Sequence, residues 1–120
     1  MGKRGRRQQR LAAPSSDYTD AEGNTLTLRG SLTAGSRREY AAALAGVGGR
    51  ASSTREDAWQ RAVELLFEYL AQRWIIAGVP IDRQRELLAR LRIASPEERA
   101  WVRSALREHC AEHFPDVEAP

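Results

Sequence analysis

Cysteine is almost missing from this chain: Cys110 is the single one in 120 residues. No internal disulfide can staple the fold, and nothing points to an oxidising compartment. Lysine is nearly absent as well, with Lys3 the one lysine among 19 basic side chains. No apolar run approaches the ~20 residues that a membrane-spanning helix needs. The basic start is not followed by the apolar stretch of a secretory signal, so the expected location is the cytoplasm. No internal repeat is visible. A phosphate-binding loop is missing too: Gly46, Gly48 and Gly49 are followed by no lysine and preceded by no strand. What is present, 42% hydrophobic and 29% charged residues, suits one soluble globular domain.

The net charge of +3 hides two opposite parts. Residues 1–16 hold Lys3, Arg4, Arg6, Arg7 and Arg10 and no acid, whereas the rest of the chain sets 14 cations against 16 acids. The basic character is therefore that of an arm on a mildly acidic body. Such an arm adds salt-sensitive attraction to nucleic acid without reading bases. Without apolar periodicity and closed by Pro14-Ser15-Ser16, residues 1–16 read as a disordered basic tail.

Asp17-Tyr18-Thr19 and the alternating Thr25-Leu26-Thr27-Leu28-Arg29 flank an acidic turn ending in Gly23, which predicts a short β-hairpin. Thr33 or Ser36 opens a first helix, with Ser36 and Glu39 spaced as a capping box and Tyr40, Ala43 and Leu44 as its apolar stripe. Residues 46–53, rich in Gly and Ser, read as a flexible linker. Thr54 then caps a main helix expected to run to Ala77, where Gly78 and Pro80 stop it. Its apolar positions are Trp59, Ala62, Val63, Leu66, Phe67, Leu70, Trp74, Ile75 and Ala77. Asp82 caps a shorter helix bearing Leu87, Leu88 and Leu91. Ser95-Pro96-Glu97-Glu98 combines a cap hydroxyl, a first-turn proline and a capping glutamate at the start of the last helix. Trp101, Val102, Ala105, Leu106, Cys110 and Phe114 line that helix. The expected fold is mainly α: a short N-terminal β-hairpin followed by a small bundle of about four helices, a single domain over residues 17–114 with a C-terminal tail at 115–120.

No catalytic, metal or cofactor site is expected. His109 and His113 share a helix face at the spacing zinc proteins use, but a closed site needs four ligands and beyond these two and Cys110 the chain has no His or Cys. Cys110 falls in the apolar stripe and reads as a small core residue. The carboxylate pairs Glu56/Asp57 and Glu97/Glu98 sit in first turns as caps, and Glu64/Glu68 lie on a polar face.

Trp74, Ile75 and Ile76 stand apart. Successive helical residues are rotated by about 100°, so these three cannot share one buried face. They are the candidate partner-binding residues, with Ile76 the one expected to look away from the core, the alternative being that the hairpin face at Leu26 and Leu28 or the first helix covers them. The order of parts resembles the small tail assembly chaperones of long-tailed bacteriophages and prophages. It has a polar start, a strand through Asp20–Arg29, Leu32-Thr33 leading into a helical body, and Arg73–Ile81 before a Leu-rich helix. The resemblance implies a non-enzymatic protein that holds a helical tape measure protein, or meets tail-tube subunits, during tail assembly. The alternative expectation is a small nucleic-acid-associated protein using Lys3, Arg4, Arg6, Arg7 and Arg10 on phosphates. Against it, no helix carries a purely basic stripe, since Asp82 and Glu86 lie among Arg83, Arg85, Arg90 and Arg92.

Overall fold

The computed structural model describes residues 14–46 and 55–120. Residues 1–13 of the expected basic arm, nearly all of the expected linker at 46–53 and the expected cap Thr54 lie outside them. The predicted hairpin is present as β1 (Ser15–Thr19) and β2 (Thr25–Arg29), paired antiparallel with Tyr18 opposite Leu26 and Ser16 opposite Leu28. Its turn is organised by Asp20, whose carboxylate accepts from the backbone N–H groups of Glu22 and Asn24, both at 2.9 Å, and from the Asn24 side chain at 3.2 Å. Gly23 follows at φ 85°, the left-handed conformation that glycine adopts without a side-chain clash. Ser15 and Ser16, expected in the disordered tail, belong to β1.

Helix α1 (Ala34–Leu44) is capped by Thr33, whose Oγ1 accepts from the Ser36 N–H at 3.0 Å; the expected Ser36–Glu39 box is not used. Helix α2 (Arg55–Leu70) ends well before Ala77. The chain passes directly into β3 (Ala71–Ile76), and β4 (Val79–Ile81) returns beside it. The sheet order is β1-β2-β3-β4, every pair antiparallel. The expectation of a helical bundle after a hairpin is thus overturned. Among the described residues there are four helices and a four-stranded antiparallel sheet, a mixed α and β architecture.

The physical reason lies in β2, since a two-stranded ribbon is only marginally stable in water. Pairing β3 on its free side sets Leu26 opposite Trp74 and Thr25 opposite Ile75. Trp and Ile are strong strand formers. Trp74 also follows Leu70 by four, so the helical period and the strand compete over the same residues, and the long-range pairing wins.

Gly78 and Pro80 mark a hairpin turn, not a helix stop. Ala77 and Gly78 have φ of 52° and 80°, the pair of positive angles a two-residue I′ turn requires. Ala77 carries a Cβ in that region, which costs roughly 1–2 kcal/mol. Its N–H donates to Asn24 Oδ1 at 3.0 Å, tying the second turn to the first. Ala77→Gly keeps that bond and removes the clash, and is expected to stabilise the protein by about 1 kcal/mol, net of glycine's entropy cost. The thermal midpoint should rise by a few degrees; a lower midpoint would contradict this account of the turn.

Helix α3 (Gln84–Arg92) starts without the expected Asp82 cap: Arg83 holds the cap position and makes no side-chain cap bond. Helix α4 (Pro96–His113) begins as its sequence predicts, with Ser95 Oγ accepting from the Glu98 N–H at 3.1 Å and Glu98 accepting from the Ser95 N–H at 3.0 Å. The Ser95 backbone and then Arg90 hold the Glu98 carboxyl below its ordinary range.

The core joins Leu26, Leu28 and Trp74 of the sheet to Tyr40 of α1, to Leu66, Phe67 and Leu70 of α2, to Leu87 and Leu91 of α3, and to Val102 and Leu106 of α4. The opposite side of the sheet bears exposed Asp17, Thr19, Arg29 and Arg73. Residues 115–120, expected as a tail, return to α1. Arg37 pairs with Asp116 at 3.1 Å, the Tyr40 hydroxyl donates to the Glu118 carbonyl, and Val117 and Ala119 pack on the core. Among the described residues no helix is long and apolar enough to cross a membrane.

Candidate protein-interaction surface

The three residues singled out for partner binding do not form one surface, because they lie on a strand. Trp74 is only 2% exposed. Its ring meets Phe67 edge-on at 5.8 Å and lies under the Arg90 guanidinium at 5.3 Å. Ile76, two residues on, shares that side of the sheet and packs partly against the core. Ile75 points to the other side, half-buried, at the register of Thr25 and Pro80. Period-two alternation therefore disperses what a helix would have displayed together.

The aromatic left in solvent is a different one. Trp59, assigned to the core stripe from sequence, is 46% exposed. The buried residues of α2 are Ala58, Ala62, Val63, Leu66, Phe67 and Leu70, so its stripe passes through Ala58 and leaves Trp59 beside it. Trp59 and Val63 line a groove of about 460 Å³ between α2 and α4, bordered by Glu56 and Gln60 on one side and by Arg103 and Arg107 on the other. Arg107 is oriented by Ser104 Oγ at 3.2 Å and by the Pro120 oxygen at 3.3 Å. Spacing alone does not separate the two: Trp59, Ala62, Val63 and Leu66 keep a helical stripe as well as Ala58, Ala62 and Leu66 do.

The histidines form a buried polar joint. His109 is 0% exposed. Its Nε2 lies 2.7 Å from the Arg29 carbonyl oxygen and its Nδ1 2.9 Å from the Tyr18 hydroxyl. A carbonyl can only accept, so Nε2 carries the hydrogen and Nδ1 accepts from Tyr18. Both nitrogens are committed, and neither is free to ligate a metal. His113 Nε2 lies 3.2 Å from Ser16 Oγ, and the two imidazoles are 4.4 Å apart. Burial lowers the His109 pKa and pushes the Cys110 thiol up to about 11, which removes Cys110 as a nucleophile at neutral pH. These residues fasten the first hairpin to α4.

A second cleft, about 480 Å³, lies between the sheet and the starts of α1 and α3, where Arg29, Glu68, Tyr69 and Asp82 bring charges of both signs together. Lys3, Arg4, Arg6, Arg7 and Arg10 lie outside the described residues. Comparison of the chain with models of known protein families, with curated proteins and with solved structures found no match in any of the three.

Proposed function

We propose that this protein is a non-catalytic cytoplasmic binding module that holds a helical partner, in the manner of the phage tail assembly chaperones its sequence resembles. The observation that carries the reading is Trp59: one large aromatic, 46% exposed, over a groove lined by residues of α2 and α4. Tryptophan is enriched among residues that dominate binding energy, and an amphipathic helix lays its apolar face into such a groove. The buried histidines and cysteine have structural work, and among the exposed large hydrophobics Trp59, Val79 and Ile93 Trp59 is the aromatic one and lines a groove.

The test is co-expression with a helical tape measure protein. The wild-type chain is expected to keep the tape measure soluble and to co-purify with it. Trp59→Ala should leave the isolated module folded, since its indole is not part of the core, while weakening the complex by about 2 kcal/mol, or some thirtyfold. A tape measure equally soluble without the module, or a complex indifferent to Trp59, would overturn the reading.

A further inference from the structure

We propose that the outer edge of β1 is a docking strand for an extended basic segment, and that its occupant is the arm at residues 1–13 of a second copy of this chain. The inference goes beyond the helix-binding groove and uses a different side of the molecule. In the sheet order β1-β2-β3-β4, β1 has a neighbour on one side. Asp20 donates its N–H to the Asn24 carbonyl at 2.9 Å, and in an antiparallel ladder bonded pairs alternate with unbonded ones. Tyr18–Leu26 and Ser16–Leu28 are then the bonded pairs, and the N–H and C=O groups of Ser15, Asp17 and Thr19 point away from β2. The short side-chain contacts Thr27 Oγ1 to Asp17 at 2.6 Å and Thr19 to Thr25 at 3.2 Å fall on the unbonded pairs, where strands lie closer. The other edge is blunted: β4 has three residues, one of them Pro80. β1 has five and no proline.

Charge selects the occupant. Asp17 lies on the strand, Asp20 and Glu22 lie in its turn, and Glu108 and Glu112 on α4 are near enough to Tyr18 to oppose its ionisation. Glu22, Glu108 and Glu112 make no ion pair among the described residues. Two β1 edges paired with each other would bring acidic borders together, which is unfavourable. Residues 1–13 carry five cations and no acid, the opposite composition. The sequence Leu11-Ala12-Ala13-Pro14 has none of the glycine, asparagine or aspartate that two-residue hairpin turns favour, which favours a second copy over the same chain as the source. Reciprocal exchange about a two-fold axis satisfies both edges at once.

The full chain is tested by sedimentation at ~0.1 M and ~1 M salt, where the screening length falls from about 10 Å to about 3 Å. A dimer is expected at low salt, weakening about ten- to a hundredfold at high salt. Reversing the arm (Arg6→Glu, Arg7→Glu, Arg10→Glu) or the border (Glu108→Lys, Glu112→Lys) should give monomers, and mixing the two variants should restore the dimer. Thr19→Pro removes one outward N–H without changing charge and should also weaken association; circular dichroism confirms that each variant is folded. A wild-type chain that stays monomeric at low salt overturns the proposal, including one whose arm shifts an oligonucleotide instead. So does a dimer that survives arm reversal.

Discussion

Trp74→Ala is expected to destabilise the protein by about 3–5 kcal/mol, much of the total stability of a domain this size. The indole is 2% exposed and sits where β3 meets α2 and α3, against Phe67 and beneath Arg90. Its removal leaves a cavity that the sheet cannot close, because Leu26 and Ile81 flank it at fixed register on either side. Trp74→Phe is a useful companion. It keeps most of the apolar contact and deletes the indole N–H, which has no hydrogen-bond partner among the described residues, so its cost should stay below about 1.5 kcal/mol. Urea unfolding followed by circular dichroism reads both. A near-neutral Trp74→Ala, within about 0.5 kcal/mol, is what an exposed partner-binding residue would give; it would contradict the buried placement.

Stability is expected to fall as the pH drops below 6.5, the ordinary histidine value. Burial holds the His109 pKa below that value in the folded protein. Between the two values the unfolded chain binds the proton and the folded one does not, so acid favours unfolding. The loss begins near 6.5, proceeds at no more than about 1.4 kcal/mol per pH unit, and levels off below the folded pKa. Protonation would also set a buried charge beside His113, whose ring lies 4.4 Å away. His109→Leu should flatten this part of the profile. It should also lower stability at pH 8 by about 1–3 kcal/mol for each group left unsatisfied, the Tyr18 hydroxyl and the Arg29 carbonyl. Urea midpoints at pH 8, 6.5 and 5.5 give the profile. A wild-type midpoint constant from pH 7 to 5.5 would contradict the buried neutral imidazole.

Elements whose signals are local were legible from sequence. The first hairpin announces itself through alternating Thr and Leu around an Asp-initiated turn, and each of these features acts within ten residues. The α4 start is similar: Ser95 and Glu98 satisfy each other's backbone N–H groups, and Pro96 at the first helical position has none to satisfy. Residues 71–81 were misread because their local evidence was balanced. Leu66, Leu70 and Trp74 keep a helical spacing, Gly78-x-Pro80 resembles a helix stop, and β propensity at Trp74-Ile75-Ile76 was the one contrary sign. The candidate surface dispersed for the same reason: on β3 Ile76, expected to look outward, falls on the same side as the buried Trp74 and packs partly on the core, while Ile75 faces the other side.

By itself the sequence determined the first hairpin, the cap at Ser95, and the apolar stripes of α2 and α4 apart from Trp59. It also made Cys110 a core residue. Each depends on neighbours along the chain, whose geometry is known before the chain folds. Tertiary structure alone decided the partner of β2's second edge, the conversion of 71–81 into a hairpin, and the joining of His109 to Tyr18 and Arg29 across some ninety and eighty residues. Backbone hydrogen bonds and buried polar groups must be satisfied wherever the partner lies in sequence, and a strand edge or an imidazole gives no local sign of which distant group will satisfy it.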